Sequence, residues 1–188
     1  LASSGDITNC TFVGNLARSG LGGAMAIQAS GGILVQNATI ADNHASCAVC
    51  FAGGIANSTG LAITIRNTLF QGNTGGNAFN PWALLNPVSG SNNLQWPQVR
   101  PGSFGQQELP VTPGSSFGDA LLVSPADNGG LTATMALPAA SPAVDAGTGT
   151  GTPALDQRGA PRSGAPDIGA YERQPIEAAL FANGFEAG

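Results

Sequence analysis

The sequence contains no lysine, and charge of either sign is scarce. Only six of its 188 residues are basic, all of them arginine, and eleven are acidic, which gives a net charge of −5. Charged residues make up 9% of the chain, against about 25% in a typical soluble domain. A protein that binds nucleic acid or an anionic membrane needs clustered basic side chains to neutralise phosphates. The composition therefore argues against both kinds of partner.

The sequence also lacks a long apolar run. No stretch approaches the ~18 consecutive apolar residues of a membrane-spanning helix, and no signal peptide is recognisable at the start. Leu1 is not an initiator residue, so we expect the natural chain to begin upstream. Val, Ile, Leu and Phe nevertheless occur throughout, among Asn, Ser and Thr. This mixture predicts a folded protein with a weakly charged polar surface, which suits a secreted protein.

Only three cysteines are present, and two of them are close together. Cys47 and Cys50 bracket an Ala-Val pair, whereas Cys10 is distant in sequence. A zinc site needs four ligands, and only His44 lies near enough to complete one. A thioredoxin-like site needs a strand-to-helix setting, which this segment lacks. The spacing favours a loop-closing disulfide between Cys47 and Cys50, with free thiols or metal and redox chemistry as alternatives.

What the sequence does have is an internal repeat. Three segments align without gaps from Ile7, Val35 and Ile65, which are spaced by 28 and then 30 residues. A glycine pair recurs in step, in the tetrapeptides GGAM and GGIA that begin at Gly22 and Gly53, 31 residues apart. A degenerate fourth copy follows near residue 90. Such a period indicates a repeat protein.

The repeat predicts strands rather than helices. Its apolar runs are short, β-branched and interrupted by Gly and Asn, as at 33–35 and 61–65. Three such strands with their turns fill one coil of a parallel β-helix, and each coil pairs with the next about 4.8 Å away. We therefore predict an all-β fold, a parallel β-helix (solenoid) of three to four coils with an irregular C-terminal cap.

The repeat also aligns asparagines in two rows. The rows are Asn9, Asn37 and Asn67, and Asn15, Asn43 and Asn73. A stacked asparagine can bond the side-chain amide of its neighbour, and it tolerates left-handed turn geometry. Both rows are therefore predicted to be structural ladders, with a ligand-binding row as the alternative.

Two sets of motifs resemble known families. The FxxN motifs at 12–15 and 70–73, alternating with GGAM and GGIA, resemble polymorphic outer-membrane-protein repeats, which implies a right-handed β-helix on a bacterial surface. Residues 118–172 resemble the C-terminal signature of the choice-of-anchor Q family of secreted bacterial β-helix proteins. Met135 stands where that pattern often has His, which weakens any metal or acid–base role at this turn.

We divide the chain into four parts. They are coils over 1–95, a Pro/Gly-rich wrapped loop over 96–117, a cap module over 118–174 and a tail over 175–188. The tail ends in FxxGFE and resembles the ending of some secreted proteobacterial proteins, which predicts a sorting or processing tag. The alternative is a tail that completes the fold by burying Phe181 and Phe185.

Charged residues concentrate in the cap module. The main cluster is Asp145, Asp156, Asp167, Arg158 and Arg162. We predict an ion-pair network here. Calcium is the alternative, because it binds converging carboxylates, although nearby arginines compete for them. Catalysis is a third interpretation, and calcium is the one cofactor that the sequence suggests.

The coil region offers little for catalysis. Its only acids, Asp6 and Asp42, fall at different positions of the repeat, so they form no pair for acid–base work. His44 is the only histidine and is predicted to lie in a loop. We therefore name no catalytic residue.

Five aromatic residues gather near the end of the coils. They are Phe79, Trp82, Trp96, Phe104 and Phe117. Buried, they would seal the core; exposed, they could stack on sugar rings.

These observations predict a non-catalytic structural or adhesive module of an extracellular or cell-surface β-helix protein, at the C-terminal end of a longer chain. One alternative is a carbohydrate-active protein, polysaccharide-binding or lyase-like. Another is a self-assembling fibre subunit that stacks through open coil ends. The expected partners are surface glycans or further copies of the chain, with no nucleic acid and no membrane span.

Overall fold

The computed structural model describes residues 4–28 and 31–175, and it is all-β. Parallel strands form a β-solenoid of about three turns, with almost no helix. The strands are β1 (Gly5–Thr8), β2 (Thr11–Val13), β3 (Leu16–Ala17), β4 (Met25–Ile27), β5 (Ile33–Gln36), β6 (Thr39–Ala41), β7 (His44–Ala45), β8 (Ile55–Asn57), β9 (Ile63–Arg66), β10 (Leu69–Gln71), β11 (Thr74–Gly75), β12 (Ser89–Ser91), β13 (Leu94–Trp96) and β14 (Ser116–Phe117). Among these residues, no helix has the length and apolarity needed to cross a lipid bilayer.

Each sheet is assembled from strands of successive coils. The first sheet has the order β1-β5-β9-β12, and the second has the order β14-β13-β10-β6-β2. A third sheet runs β11-β7-β3, and a fourth contains β4 and β8. Strands consecutive in sequence therefore lie in different sheets, and each strand finds its hydrogen-bond partners in a neighbouring coil.

The register follows the repeat in the first sheet. Ile7 lies opposite Val35, and Val35 lies opposite Ile65. The sequence alignment of GGAM with GGIA differs from the observed pairing by one residue. Met25 lies opposite Ile55, so the spacing between paired residues is 30 rather than the predicted 31. The glycines stand in the turn before the strand, where the chain packs so closely that a Cβ on Gly23 would meet the Gly53 carbonyl oxygen at 2.4 Å.

The interior of the coils is apolar and closed. Val35 and Ile65 from the first sheet, with Ile40 and Phe70 from the second, are at most 1% exposed. In the last coil Gln95 occupies the position opposite Phe70. Its amide nitrogen donates to the Leu109 carbonyl, and its oxygen accepts the Val111 N–H. This amide holds the chain across the end of the coils, where Val111 completes the core.

Residues 118–174, which we call the strap, lie beside the coils instead of over their end. The strap packs an apolar cluster onto the outward side chains of Leu69 and Leu94. Its backbone then reaches back toward the first coil: Ala120 N–H bonds the Gln71 side chain, and Ala170 N–H bonds Thr39 Oγ1. The predicted irregular C-terminal module therefore lies along the second sheet. Outward leucines on a parallel sheet need cover, and the strap supplies it.

Candidate functional site

The second asparagine row forms a continuous amide ladder. Asn15 Nδ2 donates to Asn43 Oδ1 at 2.8 Å, and Asn43 Nδ2 donates to Asn73 Oδ1 at 2.9 Å. The backbone N–H groups of Asn15 and Asn43 donate to the same two oxygens. Asn73 Nδ2 ends the ladder on the Ile40 carbonyl at 2.7 Å. These amides are occupied by each other and by backbone, which leaves the ladder a structural role rather than ligand binding.

The first row is different, and the prediction of amide bonds along it is wrong. Asn9, Asn37 and Asn67 all adopt left-handed backbone geometry, with φ of 52°, 46° and 48°, and Asn92 continues the row with φ of 54°. In the described part of the chain, no side-chain bond joins one member to the next. The shared requirement is a turn with positive φ, which asparagine tolerates well.

Two members of this first row, Asn9 and Asn67, form hydrogen bonds with the strap. Asn67 Nδ2 donates to the Thr148 carbonyl and to Thr152 Oγ1, both at 2.8 Å, and Asn67 Oδ1 accepts the Thr148 N–H. Asn9 Nδ2 donates to the Leu155 carbonyl at 2.7 Å. Asn37 lies between them, fully buried, and neither its amide nitrogen nor its oxygen has a hydrogen-bond partner among the described residues.

One amide bridge was missed by the sequence analysis. Asn57 and Asn86 exchange three hydrogen bonds between their side chains and backbones, at 2.6 to 3.0 Å. The first coil has Ile27 opposite Asn57, so the asparagine does not recur there. A search for recurring residues consequently overlooks it.

The predicted ion-pair cluster of the strap exists in part. Asp156 Oδ2 pairs with Arg158 Nε at 2.9 Å, and both side chains are buried. Arg162 pairs with Glu172 at 2.9 Å rather than with an aspartate. The Arg158 guanidinium also lies 3.7 Å from the centre of the Tyr171 ring. Glu172 lies five residues after Asp167 in the sequence signature. The predicted cluster grouped only aspartates with arginines, and it therefore omitted Glu172.

The buried carboxylates of this cluster accept backbone N–H groups. Asp156 accepts from the N–H groups of Arg158, Ala160 and Glu172. Glu172 accepts from those of Ser163 and Asp167. Buried N–H groups need an acceptor, and no strand of residues 4–28 or 31–175 pairs with the strap to provide one. These acids therefore act as substitutes for a regular backbone ladder.

Asp167 is buried, and it has no cationic partner among the described residues. Its oxygens accept the N–H groups of Asp145 and Arg173, at 2.8 and 2.6 Å. Burial raises the pKa of the Asp167 carboxyl to about 6, assisted by the nearby carboxylates of Glu172 and Asp145 and opposed by the two N–H donors. Asp145 itself is exposed.

The calcium and zinc alternatives find no ligand set in the structure. Across residues 4–28 and 31–175, no three His, Cys, Asp or Glu side chains are grouped to hold a metal ion. Cys47 and Cys50 are joined in a disulfide within the loop between β7 and β8. His44 lies in β7, where its Nδ1 is 2.6 Å from Thr74 Oγ1. Cys10 is a free thiol.

The aromatic residues near the coil end divide into two groups. Trp82 is 6% exposed and seals the core, whereas Phe104 is 95% and Phe79 59% exposed. The two phenylalanine rings stack with centroids 6.2 Å apart and an interplanar angle of 22°. Trp96 is partly exposed.

A buried ion pair fixes the two loops that carry these phenylalanines. Arg100 pairs with Glu108 at 3.1 Å, and both side chains are buried. Arg100 Nε donates to the Ala78 carbonyl, beside Phe79. Glu108 Oε1 accepts the N–H groups of Trp82 and Ala83. The exposed ring pair therefore stands on a rigid base.

Comparisons of the chain with protein-family models, curated proteins and solved structures found no match in any of the three. The geometry of the chain itself is therefore what bears on its function.

Proposed function

We propose that the chain is a non-catalytic, extracellular or cell-surface β-solenoid module with a structural or adhesive role. The observation that carries this proposal is the use of the buried carboxylates. Those of Asp156, Asp167 and Glu172 accept backbone N–H groups, and two of them also pair with arginine. Carboxylates tied into the fold in this way are poor acid–base catalysts, which need a free proton-accepting oxygen next to the substrate.

The repeat supports a role in which the outer surface acts as a rigid display. Amide ladders and parallel pairing fix each coil on the next, so the outward side chains of one sheet form straight columns. A surface with one residue per coil in each column can contact an extended ligand at several points. An adhesive module benefits from such a fixed array, because little ordering is required on binding.

A direct test combines binding with product analysis. The purified chain is immobilised and exposed to a panel of bacterial and plant surface polysaccharides, and the bound and released sugars are measured. We expect retention of intact polymer with no release of new chain ends. Release of oligosaccharides that scales with protein concentration would overturn the proposal in favour of an enzyme.

The second candidate function is polysaccharide binding through aromatic stacking, which the Phe79–Phe104 pair favours. Aromatic faces bind the C–H faces of sugar rings, and a preformed pair loses little entropy on binding. Phe104→Ala should weaken binding to neutral sugars while leaving the fold intact, since this ring is almost fully exposed. Unchanged retention of neutral polymers would count against this candidate.

Membership of the choice-of-anchor Q family remains part of the proposal, together with secretion and a longer parent chain. The sequence signature over 118–172 supports it. The sorting-tag motif at the end of the chain, with Phe181 and Phe185, lies outside the described residues. Fibre formation through coil ends also remains a hypothesis, and sedimentation at several concentrations tests it: a single monomer species throughout would refute it.

A further inference from the structure

The outer face of the first sheet carries an open groove with a volume of about 520 Å³. Along its floor one residue from each coil lies opposite the next, in the order Asp6, Leu34, Thr64 and Ser89. Arg66 lies at the edge of the groove. The strap covers the second sheet, and the floor of this groove remains accessible.

Within the described ranges, Arg66 is held in place by neutral groups only. Its Nε donates to Gln36 Oε1 in the neighbouring coil at 2.9 Å, and its Nη2 donates to the Gly151 carbonyl at 3.3 Å. In the described part of the chain it has no carboxylate partner, unlike Arg100 and Arg162, each of which is paired with an acid.

The surroundings fix the orientation of this guanidinium. Gln36 beneath it is 7% exposed, and the strap approaches it at Gly151, where φ is +69° and a Cβ would lie 2.7 Å from Arg66 Nη2. Its Nη1 makes no hydrogen bond to the described residues. A half-buried guanidinium with a preset plane and unengaged donors suits a bidentate contact with a carboxylate.

The remainder of the groove narrows the class of ligand. A nucleic acid would need several cations along its backbone, and Arg66 is the one cation among the described residues that line this groove. A peptide adding as a strand needs unpaired backbone groups, but β5 and β9 are paired on both sides. Thr64 and Ser89 instead offer hydroxyls beside the aliphatic Leu34, which suits a sugar polymer.

We propose that this groove binds a carboxylated polysaccharide, with a uronic acid carboxylate on Arg66 and the neighbouring sugar units along Thr64 and Leu34. Asp6 lies two coils from Arg66, at the far end of the column that contains Thr64 and Leu34, and it repels a second carboxylate there. This repulsion weakens the binding of a polymer that carries a carboxylate on every unit, but it does not abolish the contact at Arg66. This proposal rests on the adhesive role proposed above and names the substrate class for it.

Calorimetric titration of the full chain with a mannuronic acid hexasaccharide tests the proposal, with the methyl ester of the same hexasaccharide as the uncharged probe. We expect the acid to bind, and its affinity to rise as the salt concentration is lowered. Its affinity should exceed that of the ester by at least about tenfold. Equal binding of acid and ester, or no binding of the acid at low salt, would overturn the proposal.

Two variants assign the contact to Arg66. Arg66→Met should lower the affinity for the acid about tenfold or more, whereas Arg18→Met, at an exposed arginine outside the groove, removes the same charge and should change it less than twofold. Equal effects of the two variants would show that only the change in net charge matters, and would overturn the site.

A third variant keeps the test decisive if Arg66→Met does not fold. Asp6→Asn changes an exposed residue, and it should raise the affinity for the acid at low salt by removing the repulsion. An unchanged or lower affinity would contradict the placement of the ligand along this column. Retention of other, uncharged polymers with no binding of the acid would refute this site while leaving the adhesive function standing; cleavage of the polymer would refute that function.

Discussion

The coils and the strap satisfy their backbones by different means, although both consist of short segments of one chain. In the coils, parallel strands pair with the next coil, and neutral amides such as Asn43 bridge the turns. In the strap, the described residues contain no strand, and isolated backbone bridges join Ala126 to Thr134 and Leu155 to Pro161. There, buried carboxylates accept the N–H groups instead.

The difference follows from repetition. In a stack of coils each residue faces its counterpart in the next coil, so a side chain that recurs in every coil must bond to a copy of itself. A neutral amide has both donors and an acceptor, whereas a carboxylate only accepts and would repel its copy. Acids are therefore useful only where the sequence does not repeat. This accounts for the low charge of the chain and for its concentration in the strap.

The substitution Glu172→Gln should destabilise the strap more than the coils, and it therefore gives the clearest comparison of the two regions. The change leaves Arg162 buried without a counter-charge and turns an amide donor toward N–H groups that Glu172 now accepts. We expect a loss of roughly 3–5 kcal/mol in the free energy of unfolding. Chemical denaturation measures it.

The chain supplies its own regional probes for this experiment. Its only tyrosine is Tyr171 in the strap, whereas Trp82 and Trp96 belong to the coils and their end. Tyrosine absorbance should therefore report unfolding at a lower denaturant concentration than tryptophan fluorescence. Asp6→Asn, which removes an exposed carboxylate of the same charge, is the control and should stay near wild type. Coincident transitions at the wild-type midpoint would refute the assigned role of Glu172.

The coils can be weakened in turn through Asn43→Ala. This side chain accepts two hydrogen bonds from Asn15 and donates to Asn73 and to the Phe12 carbonyl. Its removal leaves buried groups unpaired, so we expect a loss of roughly 2–4 kcal/mol in the free energy of unfolding.

Asn15→Ala provides the matched control, because Asn15 is an exposed end of the same ladder. Its unfolding free energy should fall by no more than about 1 kcal/mol, since water can replace the lost partner. Equal losses in the two variants, measured by denaturation, would mean that the ladder contributes through turn geometry alone.

The sequence predicted the coils well and the strap poorly, for a physical reason. Coil contacts join residues 28 or 30 positions apart, as between Asn15, Asn43 and Asn73, so the repeat itself displays them. Contacts of the strap are unique and distant: Asn9 meets Leu155 across 146 positions. No periodicity marks such a contact, and the two asparagine rows therefore looked equivalent although only one is a ladder.

The pH dependence of stability offers a third comparison, since it should originate in the strap. The raised pKa of Asp167, about 6 against 3.8 for an ordinary carboxyl, means that the folded protein holds this proton more tightly than the unfolded chain. The contribution of Asp167 to stability is thus largest below pH 4 and is lost as pH rises through 6. Between pH 7 and 5 the wild type should gain roughly 1–2 kcal/mol relative to Asp167→Asn.

Denaturant titrations of both proteins at several pH values measure this difference. The tyrosine signal of Tyr171 should show it more strongly than the tryptophan signal, because the carboxyl lies in the strap. Parallel pH profiles of the wild type and Asp167→Asn would contradict the assignment.

The smallest expected effect lies where the two regions meet, at Asn37. Asn37→Gly suits the positive φ of 46°, and it removes two buried polar atoms that have no hydrogen-bond partner in the part of the chain that the structure describes. Removal of these unpaired atoms stabilises the fold. It is opposed by the small cavity that the substitution leaves and by the extra conformational freedom of glycine in the unfolded chain, a freedom that costs about 1 kcal/mol. We expect the free energy of unfolding to stay within about 1 kcal/mol of wild type.

Asn67→Gly is the matched variant, because its φ of 48° is nearly the same and its amide makes three bonds to the strap. We expect it to cost roughly 2–3 kcal/mol by denaturation. Equal values for the two positions would show that the turn conformation dominates along the whole row. A larger loss at Asn67 than at Asn37 would show that an asparagine in this turn stabilises the fold only where the strap provides hydrogen-bond partners for its side chain.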